Sequence, residues 1–277
     1  MRLFAYAVVL TLLLAVSARS VTTDEIRFRY QDGLIWLKAE VSGKNQSLNF
    51  LLDSGAGVSV LDLGRARSLG MRLGNPELVQ GVNGRAVAYR VDDFQAASGG
   101  ITLPKSVLAI NLQAISECCH QHIDGILGID FFRGRIVQID FAARRVRLAQ
   151  QQGLNLANCE ILPIKMCNDA FCVPVRVAGN PAQWMRLDTG CDASLEWVVS
   201  GPEKRLIEGT SIGLSHSSKK YVKTPVQIGK QHFTIPAAIH AEPIFSGEGG
   251  LIGNGLLSKF RLTIDEPGDR VIFEETR

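Results

Sequence analysis

Strong charge of either sign is missing from this chain: 30 Lys and Arg stand against 27 Asp and Glu, a formal net charge of +3. That balance gives no reason to expect nucleic acid or an anionic membrane as a partner. No long Lys/Arg run with interleaved aromatics supplies one locally. Past the N-terminal segment, no apolar stretch is long enough to cross a bilayer. No Ser/His/Asp constellation can be assembled from fixed spacing, so a serine hydrolase has little support. Gly99-Gly100 and Gly249-Gly250 lack a following Lys-Ser/Thr and read as turns rather than phosphate cradles. Cys118, Cys119, His120 and His122 place soft ligands close together, but at no usual zinc spacing. Neither a metal nor a cofactor is therefore expected.

The N-terminus has a short positive start at Arg2, an apolar run from Leu3 to Val16, and small residues at Ser17 and Ala18. That is the layout of a secretory signal, here 1–18, cut after Ala18. The run falls short of the roughly 20 residues that span a bilayer. A periplasmic or secreted protein, with no membrane attachment after cleavage, is expected. Export would place Cys118, Cys119, Cys159, Cys167, Cys172 and Cys191 in an oxidising compartment, where disulfides persist. Cys167 and Cys172 bracket a short loop and are the first candidates for a bridge. Simple buried thiols are the alternative.

The chain repeats itself. The segment Asp124–Asp140 lies on Gly249–Asp265 without a gap, at a constant offset of 125. Upstream, Asn49–Ala56 matches Trp184–Cys191 at an offset of 135, and between these blocks Ile101–Pro104 matches Phe233–Pro236. The blocks occur in the same order in both halves. The mature chain thus reads as two copies of one unit, 24–150 and 157–277, joined by the polar Gln150–Asn158. Short runs rich in Val, Ile and Leu, divided by Gly, Asn and Pro, read as strands. Ile35–Val41 and Arg135–Asp140 partly alternate, as half-buried strands do. Helical periodicity is confined to brief stretches such as Leu61–Leu69 and Ile129–Arg133. The fold class is all-β with a few short helices, in two lobes too small to bury much surface alone.

Within the repeat, Asp53-Ser54-Gly55 and Asp188-Thr189-Gly190 occupy equivalent positions. Each acid follows a short strand-like run, Leu51-Leu52 in the first and Met185 to Leu187, with only Arg186 polar, in the second. The hydroxyl residue can bond local backbone and hold a tight loop, and the glycine lets N–H groups approach a carboxylate that would be costly to bury unpaired. One such motif is common in turns. Two at equivalent positions of a repeat, packed about a pseudo-two-fold axis, bring their carboxylates within hydrogen-bonding reach, where they share a proton.

These motifs, each followed further on by an apolar-apolar-Gly element (Ile126-Leu127-Gly128 and Leu251-Ile252-Gly253), resemble the aspartic peptidases of the retropepsin and pepsin type. Ala56 and Cys191 after each glycine bring the detail closer to the retropepsin-like form. The resemblance implies two acid-protease-type β-barrel lobes, a single-chain monomer, and a peptide or protein substrate. It implies Asp53 and Asp188 as catalytic acids braced by Ser54, Gly55, Thr189 and Gly190. It also implies a covering hairpin at Val79–Tyr89, with turn chemistry at Gly81, Asn83 and Gly84, and a counterpart at Ile212–Tyr221. Asp192 matches an acid that holds substrate backbone in retroviral enzymes, whereas its first-lobe equivalent is Gly57. A peptide-binding module of the same fold, without useful turnover, is the rival expectation.

Overall fold

The computed structural model describes residues 24–81, 84–154, 156–199, 221–243 and 245–275. The expected signal at 1–18 lies outside these residues, and so do Asn83 and most of the second hairpin, 212–220. Among the described residues strands dominate, in a large sheet of 15 strands and a second of 7. The α-helices are short, at Leu63–Ser68, Gln113–Cys118 and Asn254–Leu257. This is an all-β fold of the acid-protease kind.

Alternation of residue type sets the strands. In Leu34–Val41 the side chains of Ile35, Leu37, Ala39 and Val41 are buried, while Lys38 and Glu40 face solvent. The two stretches of helical periodicity form a helix at Leu63–Ser68 and a 3-10 turn at Ile129–Phe131. The first is capped by Asp62, whose carboxylate accepts from the Arg65 N–H at 2.9 Å. Gln113–Cys118 is an additional helix that periodicity did not reveal.

Each half builds the same small motif around its acid. The strand Ser47–Leu52 runs parallel to Gly125–Leu127, which pairs antiparallel with Val60–Asp62, itself parallel to Val107–Ile110. In the second half Gln183–Leu187, Gly250–Ile252, Leu195–Val198 and Gln231–His240 repeat this connectivity in the same senses. Both halves also open with a tight hairpin. The turn residues are Asp32 and Gly33 in the first and Asn168 and Asp169 in the second, all with positive φ. Asn, Asp and Gly tolerate that left-handed geometry best.

The halves are fused by a shared sheet. Ile136–Asp140 pairs antiparallel with Phe260–Asp265, in a register that sets Gln138 opposite Thr263. These two residues are equivalents in the repeat, and the Gln138 amide donates to the Thr263 hydroxyl at 3.2 Å. An antiparallel pair centred on equivalent residues has a local two-fold axis through its midpoint. Cys159–Pro163 and Arg270–Glu275 extend this sheet on one side, and Arg145–Ala149 and the first-half strands on the other. Beneath it one apolar core runs through both halves; Phe132 meets Phe171 edge-on at 6.2 Å.

Val137 and Ile264 face each other across the shared sheet with no exposure. Ile264→Ala is expected to destabilise the protein by about 2–4 kcal/mol, as buried aliphatic truncations do. Urea unfolding measures it. A loss below about 1 kcal/mol, the range of surface substitutions, would show that the shared sheet is not what holds the halves together.

Candidate active site

The acids are delivered by the paired parallel strands. Asp53 follows Leu52 and donates its N–H to the Leu127 carbonyl at 2.9 Å; Asp188 follows Leu187 and donates to the Ile252 carbonyl at 3.0 Å. The apolar-apolar-Gly elements thus register each acid against its neighbouring strand. After each acid the chain turns back, and the glycine N–H reaches the carboxylate: Gly55 to Asp53 Oδ1 at 2.8 Å, Gly190 to Asp188 Oδ1 at 2.9 Å.

Ser54 and Thr189 act across the interface rather than locally. The Ser54 hydroxyl donates to the Leu187 carbonyl at 2.6 Å and accepts from the Thr189 N–H at 3.1 Å. The Thr189 hydroxyl donates to the Leu52 carbonyl at 2.9 Å and accepts from the Ser54 N–H at 2.9 Å. Both residues are fully buried. The expectation of local backbone bonding is corrected: each hydroxyl ties its loop to the opposite one.

This interlock sets the spacing of the acids. A Cβ on Gly55 would lie 2.6 Å from the Asp188 carboxyl carbon, and one on Gly190 would lie 2.3 Å from that of Asp53. Each glycine therefore leaves room for the other half's carboxyl group. Asp53 and Asp188 thus face each other closely enough that each shifts the other's titration. Burial raises the pKa of Asp53 above its ordinary value, opposed by the Gly55 and Ala56 N–H groups. Burial raises Asp188 further, with the Asp53 charge adding to it and only Gly190 donating from the backbone. Asp53 is thus the better stabilised anion, and Asp188 the better proton holder.

The acids open onto a cleft of about 590 Å³. Val58, Val60, Leu108 and Ile110 form one wall, and Val79 and Ala86 reach over it from the hairpin. That hairpin pairs Pro76–Gly81 with Gly84–Val91 in a register that joins Gly81 to Gly84. The second-half wall is more polar, with Asn168, Asp169, Asp192 and Glu196. Asp192 is exposed there, its Cβ 2.6 Å from where a Cβ on Gly33 would be; a Cβ on Gly57 would lie 3.0 Å from Asp169. The opening turn of each half therefore packs on the acid loop of the other. Cys191 also lines the cleft; burial, with the Asp188 charge, pushes its thiol up to about 12. A larger surface hollow of about 870 Å³, between Leu63–Ser68 and Gln113–Cys118, contains neither acid.

All six cysteines are free, so the expected Cys167–Cys172 bridge is not formed. The two thiols lie on adjacent strands, and burial, with the neighbouring Cys167, pushes Cys172 well up.

Two features of the site were not anticipated. Asn254, fully buried, donates to the Thr189 carbonyl at 2.7 Å and to the Gly33 carbonyl at 2.8 Å. Arg186 and Glu248 form a buried ion pair beside the acids. The repeat alignment contained a signal for the second: Arg186 stands where the first half has Leu51, and Glu248 where it has Ile123. Opposite charges entering two equivalent apolar positions together imply that they pair.

A single-chain, all-β acid-protease-type fold with two adjoining carboxyl groups at the base of a cleft is the class this geometry defines. Residues 37–131 match the family model described as aspartyl protease. That match covers about a third of the chain, within its first half, and supports the resemblance to aspartic peptidases of retropepsin-like kind. Asp188 lies beyond the matched residues. A comparison with curated proteins found no match.

The dyad's raised pKa values give a stability test that needs no substrate. Groups raised above the ordinary aspartate value of 3.8 contribute stability that is complete below that pH and lost as pH rises through their folded values. Asp188→Asn removes one of them. Its melting temperature should gain on that of the native protein as pH rises from about 4 to about 7. A difference that does not change with pH would mean that the two carboxyl groups are not held in this strained, proton-sharing state.

Proposed function

We propose that this chain is an aspartic endopeptidase whose Asp53 and Asp188 activate a water against an extended peptide. The observation that carries the reading is the reciprocal packing of Gly55 and Gly190 on the opposite carboxyl groups, which leaves two acids facing each other at the base of a cleft. The match to the aspartyl protease family supports it.

In this reading Asp53, better supplied with N–H donors, is the base. It takes a proton from water as the water oxygen bonds to the scissile carbonyl carbon. Asp188 gives its proton to the carbonyl oxygen, forming a neutral gem-diol. Collapse breaks the C–N bond as a carboxyl group returns a proton to the leaving nitrogen, so no covalent intermediate forms. The hairpin carrying Val79 and Ala86 closes over the peptide and excludes water. Asp192, in the cleft wall, accepts from substrate backbone N–H groups in this reading. Both acids come from one chain, so a monomer suffices, and export through the segment 1–18 would give it exported proteins as substrates. Among the described residues no helix is long and apolar enough to cross a membrane.

Cleavage of a peptide library or denatured protein, followed from acid to neutral pH, tests this. Asp53→Asn and Asp188→Asn should each lower the rate by roughly 10³-fold or more, within reach of lost acid–base catalysis and water activation. Pepstatin should inhibit the native protein. A folded native protein that cuts nothing at any pH, yet binds extended peptides in the cleft, would replace this reading with that of a peptide-binding module.

A further inference from the structure

The two halves differ most, close to the acids, at the residue two before each aspartate. In the first half Leu51 belongs to a small apolar cluster with Trp36, Val60, Ile123 and Ile126. In the second half Arg186 and Glu248 occupy the equivalent places with side chains only 2% exposed. Arg186 Nε donates to Glu248 Oε2 at 2.9 Å and Nη2 to Oε1 at 2.7 Å, a two-point fork. Phe245 covers the guanidinium, its ring centre 3.5 Å from Cζ. Asn168 steadies Glu248 from the other side, donating to Oε1 at 2.8 Å.

Arg186 Nη2 also reaches the Asn168 carbonyl at 3.4 Å, and the other terminal nitrogen leaves the second half. Arg186 Nη1 donates to the Gly55 carbonyl at 2.7 Å. That carbonyl belongs to the same peptide group as the Ala56 N–H, which donates to Asp53 Oδ1 at 3.0 Å. A cation on the carbonyl end of a peptide polarises it and makes the N–H end a stronger donor. Asp53 is thus tied to Arg186 through one rigid, planar unit. The Arg186 charge reaches Asp188 through space as well, but Asp188 has no such hydrogen-bonded chain to it. The Cys191 N–H in the corresponding place contacts the Asp188 backbone carbonyl at 3.5 Å rather than its carboxylate, and Leu51 offers no charge.

We propose that Arg186, held by Glu248, is a positioning residue that breaks the symmetry of the dyad: acting through the Gly55–Ala56 peptide, it favours negative charge on Asp53 and leaves the proton on Asp188. The inference rests on the peptidase reading for its consequence, the assignment of base and acid, but not for its electrostatics. The other groups around the dyad are Asp169, Asp192 and Glu196 in the cleft wall, the last paired with His240 at 3.2 Å, and the neutral Cys191 thiol. None of these is a fixed cation hydrogen-bonded to an acid loop.

Two kinds of variant separate this from a structural role. Arg186→Leu with Glu248→Ile installs side chains of the kind found in the first half, and replacing a buried ion pair by apolar residues is often neutral for folding. It should lower kcat roughly tenfold with KM little changed, and move the acid limb of the pH–rate profile up by about one unit, the usual effect of losing one nearby opposite charge. Arg186→Lys, which keeps the charge, should recover part of that shift. Glu248→Gln leaves the cation uncompensated and should move the limb down. Carboxyl-carbon NMR of aspartate-labelled protein follows the same titrations without substrate: the lower dyad midpoint should rise in the double variant and fall in Glu248→Gln. Midpoints that stay put, or move the same way in both, overturn the proposal even if the native protein cleaves peptides. Midpoints that move as stated in a protein without peptidase activity uphold it and sink the peptidase reading instead.

Discussion

Two buried hydroxyl groups at the junction of the halves hold everything else in place. Ser54 and Thr189 each bridge from their own loop to the backbone of the other, so four hydrogen bonds cross an interface with no water to compete. A buried polar group left unpaired costs about 1–3 kcal/mol, so neither loop can shift without orphaning partners in both halves. The constraint is mutual. It fixes where each acid sits relative to the other half, which strand pairing within one half alone does not do.

Once the loops are locked, the carboxyl groups have little freedom. Each is backed by the glycine of the other motif at a distance no side chain would permit, and each is desolvated by the neighbour it must share space with. Desolvation alone would leave both protonated and inert as bases. The N–H donors on Asp53 counter it, and the imbalance between two donors there and one on Asp188 makes the pair unequal, as the proposed division into base and acid requires. Stability is given up at this point and recovered in the shared sheet and common core, where Val137, Ile139, Leu262 and Ile264 are fully buried.

Much of this was legible in the sequence, because repetition is a strong signal. The Asp-Ser-Gly and Asp-Thr-Gly motifs at equivalent positions pointed to two facing acids, and the alternating strands to an all-β fold. Gly81 and Gly84 marked a hairpin that the register confirms. The unread parts are those that depend on partners distant in sequence. Ser54 and Thr189 looked like local turn residues because sequence shows neighbours, not the opposite loop. Cys167 and Cys172 bracket a loop as a bridged pair would, but they lie on paired strands as free thiols. Asn254 is a single polar residue in an apolar helix start, and nothing beside it says that it reaches Gly33 and Thr189.

A two-fold axis is an efficient way to bring two identical groups together, yet the proposed hydrolysis needs them to be different. The register of Gln138 on Thr263 and the interlock of Ser54 with Thr189 both place equivalent residues face to face, so the scaffold itself treats the acids alike. Four changes of polarity enter at other positions near the acids: Leu51 against Arg186, Ile123 against Glu248, Gly57 against Asp192, Ile129 against Asn254. All of them place the added polar group in the second half, where the fused chain allows each half to vary separately. A dimer of identical chains could not place a cation beside one acid without placing one beside the other. Joining the halves in one chain removes that restriction, and the Arg186–Glu248 pair is a use of that freedom.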